Sequence, residues 1–488
     1  MSFPRRVQAV NHRVVVSLAL CAMFVAPVVP AIAHPAPRVG IMYEGWHAPA
    51  VMGLKDPMSA LTVERVIRSN GTITMDDMAE GINLDVAMGF FHQKEPLDGF
   101  YCIYRKRANE SKGIVPDCLN ISSTLSRHAN MFNQNNISFV VADSTNIVDM
   151  GAVADVLQLR PFEVLAEEWL ALRTQAIPTP QISVWQQLAS GSNLWRAYVE
   201  EGGVYSNPAY DALIFKDAAT GKKVFFTTPN PDPAIVATLK APPYNLAVVN
   251  LWALRSNFDQ GEWSFFSPCT DPSGEFTTSV YSNSSIPCNQ KVTTNSPIGY
   301  RGTSLTVGPS YQLSYSSLPF MAAGKLGGLT LKKQFERAFE LHSLGALDYL
   351  FVGTFNEHIA QPQPNPYNPP NIDAVSFGLE NDSFNVNLWV DMFGDSISRD
   401  LEPTREDGGK LWALFQSCLQ VNSCNSVSTR FPVGIRFRSN SDLIRYSGLV
   451  QAVATIPMSY AVKTILQRHG AAFGLSSFRC ETQSLQRR

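Results

Sequence analysis

What most constrains this chain is a rhythm. Short, almost unbroken apolar segments recur along it, with amphipathic stretches between several of them. Eight such segments stand out: Val39–Tyr43, Ile137–Asp143, Gln181–Trp185, Lys223–Thr227, Leu246–Leu251, Ser304–Val307, Tyr349–Phe355 and Asn387–Phe393. They are dense in Val, Ile, Leu and Phe rather than alternating with polar residues, the pattern of parallel strands covered on both faces. Among the intervening stretches, Asp56 can cap a helix that has Pro57 just inside and runs through Ala60–Arg68. Glu163–Arg173 puts Val164, Leu165, Trp169 and Leu172 on one side, and Gly328–Leu341 sets Leu331, Phe335 and Phe339 at helical spacing. These stripes read as core. About eight strands alternating with helices predict an α/β fold, a (β/α)8 barrel of TIM type, over an open doubly wound sheet. No G-x-G-x-x-G or phosphate-cradling loop follows any strand, which argues against nucleotide binding on an open sheet.

The N-terminus reads as an export signal. Arg5, Arg6 and Arg13 precede an apolar run from Val14 to Ala33, and Ala31-Ile32-Ala33 offers small residues where a signal peptidase cuts. Cleavage before His34 is expected, since Pro27 and Pro30 interrupt the run; the alternative is an uncleaved anchor in the lumen of the secretory pathway. Removing 1–33 takes three arginines and no acid, so the formal charge moves from −2 to about −5. With no basic stripe, nucleic acid is not an expected partner. The expected organisation is therefore a signal peptide over 1–33, a barrel over 34–430 and a C-terminal helical extension over 431–488. That extension carries the apolar run Leu449–Leu466, broken by Pro457.

Cysteine usage fits an oxidising compartment. Once Cys21 has left with the signal peptide, six of the remaining seven fall into local pairs, Cys102 with Cys118, Cys269 with Cys288 and Cys418 with Cys424, leaving Cys480 over. No spacing is C-x-x-C, so no structural zinc is expected. Sequons at Asn70, Asn109, Asn120, Asn136, Asn283 and Asn381 are compatible with N-glycans. Three stretches read as loops grafted on the barrel: Asp98–Asn120, Ser267–Ser296 and the proline-rich Gln361–Asn371.

In a parallel barrel the carboxyl ends of the strands share one rim, where active sites form. The polar residues at which the apolar segments stop are therefore the candidates. They are Tyr43-Glu44-Gly45-Trp46-His47, Asp143-Ser144-Thr145-Asn146, Asn356-Glu357-His358, and Asp391 and Asp395 followed by Arg399-Asp400-Leu401-Glu402. Carboxylates recur on one predicted face, and cleaving a glycosidic bond needs two of them. Trp46 and Tyr43 beside them could stack on a sugar ring. The plainer reading is that Asp143 and Asn146 cap the next helix. Glu is a poor cap, which singles out Glu357. No helical H-x-x-x-H pair occurs, so neither metal nor other cofactor is expected, and no G-x-S-x-G supports a serine hydrolase.

Taken in order, VGIMYEGWHAP, ISFVVADSTN, FERAFEL, YLFVGTFNEH and SRDLEP resemble the barrel landmarks of glycoside-hydrolase-like proteins related to families seventy-one and ninety-nine. Ser398-Arg399-Asp400-Leu401-Glu402-Pro403 is similar almost residue for residue to a segment that follows the last strand in that group. The resemblance covers roughly residues 39 to 410 and implies a TIM barrel, hydrolysis of an O-glycosidic bond and an essential Glu at 357. In better-known members a second acid lies a few residues later. Here His358, Ile359, Ala360 and Gln361 follow, with no acid before Asp373, so the partner must come from another strand. The candidates for that partner are Asp143, then Glu44, then Asp395. The expected mechanism makes Glu357 the general acid and later base, and Asp143 the nucleophile or base. Tyr43, Glu44, Trp46, His47, Asn146, Asn356, His358, Asp395, Arg399 and Asp400 are expected to line the carbohydrate site. The competing reading is a secreted carbohydrate binder on the same barrel without catalysis.

Overall fold

The structure is a computed structural model. It describes residues 36–45, 47, 95–108, 117–145, 147–151, 154–252, 256–265, 290–310, 325–357, 398–405, 407–421 and 424, together with the backbone of a few short strand pairs. The chain divides into two units, Met1–Pro35 and Ala36–Arg488. The fold described is that of the second unit. The expected helix at 56–68 and the tail from 431 lie outside the described residues.

Nine strands form the main sheet. In chain order they are β1 Arg38–Glu44, β2 Ile137–Ser144, β3 Gln181–Gln186, β4 Val224–Thr227, β5 Ala247–Trp252, β6 Trp263–Ser264, β7 Val292–Thr293, β8 Ser304–Val307 and β9 Tyr349–Thr354. Their order across the sheet is β7-β8-β9-β1-β2-β3-β4-β5-β6. Every pairing is parallel except β7 with β8. Eight parallel strands thus stand side by side in chain order, and the two ends of their run meet. Thr306 Oγ1 of β8 donates to the Ser264 carbonyl of β6, and Trp263 Nε1 donates to Ser296 Oγ at 2.9 Å. The sheet curls into a nearly closed barrel.

Seven of the eight apolar segments are barrel strands. The exception is Asn387–Phe393. Its described part, Asn387–Trp389, pairs antiparallel with Pro362–Pro364 outside the main sheet. The eighth parallel place belongs instead to the two-residue β6, which binds the end of β5. Pro362 and Pro364 of the 361–371 segment sit in a two-stranded ribbon, where a missing N–H costs least.

Two apolar layers hold the barrel. Inside it lie Met42, Phe139, Val141, Phe226, Val249, Trp263 and Phe351, with Phe139 stacked on Phe215 at 3.9 Å. Gly40 is required there, because the Phe139 ring occupies the place of any Cβ at that position. Outside, Val39, Ile41 and Tyr43 of β1 pack against the helices. These are α1 Ile121–Asn133, α2 Arg160–Thr174, α3 Leu194–Val199, α4 Pro233–Lys240, α5 Leu329–Ser343 and α6 Lys410–Val421. The α2 and α5 patterns foreseen from periodicity bury Trp169 and Leu165, and Leu331 and Phe335. Asp232 caps α4 by accepting from Ala234 N, with Pro233 in the first turn.

Two of the three cysteine pairs are disulfides, Cys102–Cys118 and Cys418–Cys424. The Cys269–Cys288 pairing lies outside the described side chains. The first disulfide closes the 98–120 loop, which charge also pins to α2. Arg107 binds both oxygens of Asp155 at 3.1 and 2.7 Å, and Arg105 meets Glu168 at 2.7 Å. Replacing Cys102 and Cys118 together by serine is expected to cost about 3 kcal/mol of stability, from the entropy of a loop this short. A clearly lower thermal midpoint checks this. An unchanged midpoint would mean that the ion pairs alone hold the loop.

Candidate active site

The carboxyl ends of β1, β2 and β3 set Glu44, Asp143 and Trp185 at one level, each the Cα partner of the next. Asp143 follows Phe139 and Val141 in the alternation that faces the barrel interior. Its Oδ1 accepts from Thr145 N and from Thr145 Oγ1, both at 2.8 Å. Burial is the largest influence on this carboxyl and favours its neutral form. The Thr145 hydrogen bonds oppose that push, the charge of Glu357 adds to it, and Arg399 works against it. The result is an acid pushed up to about 7. Trp185, itself 2% exposed, is its Cα partner on β3.

Glu357 stands in the turn after β9. Its Oε2 accepts from Thr354 Oγ1 at 2.9 Å, and its Oε1 accepts from Arg399 Nη2 at 2.7 Å. Both oxygens are thus used as acceptors. Arg399 is 2% exposed and lies over the Phe265 ring at 4.5 Å from its centroid. Its charge also reaches Asp143, as does that of Glu357, so the three side chains form one electrostatic unit.

Behind them is a buried scaffold. The Asn356 amide bridges to β1, accepting from Glu44 N at 2.8 Å and donating to the Glu44 carbonyl at 2.9 Å. It also donates to Tyr101 Oη at 3.1 Å. Tyr101 comes from the disulfide-closed loop and donates to Glu402 Oε2 at 2.8 Å. His128 of α1 links Glu402 Oε1, at 3.1 Å, to Tyr43 Oη, at 2.9 Å. His47 donates from Nε2 to the Asn356 carbonyl at 3.0 Å and stacks on Tyr101. The turn that carries Glu357 is therefore held by β1, α1, the 98–120 loop and the Arg399–Glu402 segment together. Asp400, 2% exposed, faces Lys325 at 3.9 Å. Truncating His128 to alanine is expected to cost about 3 kcal/mol, because Glu402 then stays buried with one partner fewer. Chemical denaturation of the variant measures it, and a loss below about 1 kcal/mol would contradict the account.

Of the residues expected from sequence, Asp143, Glu357, Glu44, Asn356 and Arg399 come together here. His47 and Asp400 lie beside them, both buried, where they hold neighbours in place. Tyr43 does not face the mouth. It lies on the helix side of β1 with no exposed surface, bonded to His128 and stacked on Phe355, so no sugar ring can reach it. Trp46, Asn146, His358 and Asp395 lie outside the described residues. The Tyr101–Glu402–His128 scaffold was missed from sequence. Only the SRDLEP segment hinted at it, since its Glu402 gave no sign of a partner more than two hundred residues away in the chain. Among the described residues no three His, Cys, Asp or Glu stand together as a metal site, and no helix is long and apolar enough to cross a membrane.

No family model matches the chain, and no curated protein does. Among solved structures it is similar to the GH99 endo-alpha-mannosidase of Bacteroides thetaiotaomicron. The identity is 13% with a TM-score of 0.40, over 78% of this chain and 96% of that one. The same enzyme in complex with BIS-TRIS-Propane gives 13% identity and a TM-score of 0.38, over 78% and 97%. The alpha-L-fucosidase AlfC of Lactobacillus casei, in complex with its alpha-L-fucose product, gives 10% and 0.26, over 66% and 89%. The kinship with family seventy-one stays an expectation of the sequence.

Proposed function

We propose that the chain is a secreted glycoside hydrolase that cleaves O-glycosidic bonds of a glycan with Asp143 and Glu357. The observation that carries this is the opposed environment of two carboxyls that feel each other's charge. One is buried and pushed up to about 7, and the other is held by a buried arginine. Such a split assigns acid and base. On this reading Asp143 acts as the general acid and Glu357 as the nucleophile or base, the exchange of the roles expected from sequence.

In the first step Asp143 gives its proton to the glycosidic oxygen as the C1–O bond breaks. Glu357 either attacks C1, forming an ester that water later displaces, or takes a proton from the water that attacks. The choice follows the carboxyl separation, about 5 Å for the first course and roughly 6.5–9.5 Å for the second. Arg399 holds the Glu357 carboxyl in place by its hydrogen bond. Export through residues 1–33 and N-glycans at the exposed Asn120 and Asn136, with the other four sequons, belong to the same proposal.

The test is to incubate the purified mature protein with yeast mannan, dextran, mutan, laminarin and xylan and to read released sugars by chromatography. Release from one of them supports a hydrolase. Binding without release favours the carbohydrate-binding alternative, and neither would remove the carbohydrate reading.

A further inference from the structure

The ladder between β1 and β9 stops one rung short of the mouth. It runs from Arg38 with Tyr349 to Ile41 with Val352, shifts register there, and closes on Met42 with Thr354. The next backbone link is Phe355 N to the Met42 carbonyl at 2.9 Å. Glu357 then stands outside the ladder, bonded to Thr354 and Arg399. The backbone of the buried Glu44 still needs partners on this side. Asn356 supplies them with its side chain, accepting from Glu44 N at 2.8 Å and donating to the Glu44 carbonyl at 2.9 Å. A primary amide offers the acceptor and donor of a peptide unit, so the side chain serves as one more rung. Glu44 is in turn the Cα partner of Asp143 on β2. The residue next to Glu357 is thus tied across β1 to the strand end that carries Asp143.

This rung works only one way round. Turned over, the amide would set its oxygen against the Glu44 carbonyl and its NH2 group against the Glu44 N–H. Tyr101 fixes the orientation. Its hydroxyl donates to Glu402 Oε2 at 2.8 Å and offers a lone pair to the second N–H of Asn356 at 3.1 Å. Burial, and after it the Glu402 charge, push this hydroxyl well above the ordinary tyrosine value, so it keeps the proton that it donates. The Tyr101 ring is held by stacking on His47 at 4.5 Å, and its backbone by the neighbouring Cys102–Cys118 disulfide. Asn356 is 0% and Tyr101 4% exposed, so neither is open to a glycan. We propose that Tyr101, acting through the Asn356 amide, is a positioning residue that sets the separation of the Glu357 and Asp143 carboxyls. The proposal rests on the two-carboxyl reading of this site. A misplacement of about 1 Å in such a pair costs about a hundredfold in rate. Because both residues are sealed from substrate, their loss acts on kcat and leaves KM in place.

The test compares wild type, Tyr101→Phe and Asn356→Ala on the same five polysaccharides. It reads kcat, KM and the pH profile of kcat/KM, with thermal midpoints to establish that each protein is folded at the assay temperature. Tyr101→Phe keeps the ring on His47 and loses only the hydroxyl; it is expected to lower kcat about tenfold, with KM within about threefold of wild type. Asn356→Ala removes the rung and is expected to lower kcat at least about a hundredfold. The pH profile separates positioning from mere support of the fold. The Glu357 charge helps to raise Asp143, so a Glu357 that has drifted away lets the alkaline limb move to lower pH in Tyr101→Phe. Should Asn356→Ala be unfolded, the milder Tyr101→Phe decides. A folded Tyr101→Phe with the kcat and alkaline limb of wild type, however much its midpoint falls, would overturn the positioning role and leave the hydrolase reading standing. A raised KM with kcat intact would also overturn it. A wild type that cleaves none of the five removes the two-carboxyl reading and this proposal with it.

Discussion

Glu357→Gln is expected to abolish hydrolysis, lowering kcat at least about 10³-fold while substrate binding changes by less than about threefold. Glutamine keeps the shape of the side chain. Turned so that its oxygen faces Arg399, it still accepts there, and its amide donates to Thr354 Oγ1, which now accepts where it had donated. What it lacks is the negative charge that attacks C1 or takes a proton from water. It also removes the negative charge beside the buried Arg399, which is expected to lower stability. The variant therefore melts earlier than wild type, yet binds glycan at 25 °C. A lower KM-based affinity with kcat intact would instead make Glu357 a binding group.

Asp143→Asn removes the proton donor and is expected to slow cleavage at least about 10²-fold. Its pH behaviour is the sharper sign. In wild type, kcat/KM should fall as pH rises through about 7, where Asp143 gives up its proton, and the variant should lack that limb. Stability should fall over the same direction of pH. The folded protein raises this acid from 3.8 to about 7, so folding favours the protonated form. That contribution is complete below the unfolded value, is lost as pH climbs towards 7, and leaves a buried charge as a cost above it. Asparagine carries no charge and still accepts from Thr145. At pH 8 the variant is therefore expected to be more stable than wild type by about 2 kcal/mol, with little difference at pH 4. Denaturant melts at the two pH values check this, and a variant less stable at pH 8 would mean that the fold does not disfavour the charged form of Asp143.

Most of the barrel was legible because each parallel strand is covered on both faces and so shows as a run of apolar residues. The same continuity hides which alternate residues face the axis. Tyr43 and Glu44 look equally suited to a cleft, yet Gly40, Met42 and Glu44 share the inner face and Tyr43 falls on the outer one. The eighth strand escaped notice because two residues, Trp263 and Ser264, make no pattern. The hydrophobic 387–393 segment took its place in the reading. Asp143 and Glu357 stand out in the sequence because polar residues that end apolar strands gather on one rim. Which of them gives the proton depends on what surrounds each carboxyl, and that no run of residues displays. Trp185 beside Asp143 and Arg399 beside Glu357 become neighbours only through the pairing of β2 with β3 and the return of the chain after β9.

The most direct test is to incubate wild type, Glu357→Gln and Asp143→Asn side by side, at pH 6 and in equal amounts, with the polysaccharide that wild type cleaves, and to quantify released sugar. The prediction is release by wild type, and from each variant at most about one hundredth of it, with all three binding the polysaccharide. Release by either variant at the wild-type rate would contradict the two-carboxyl site.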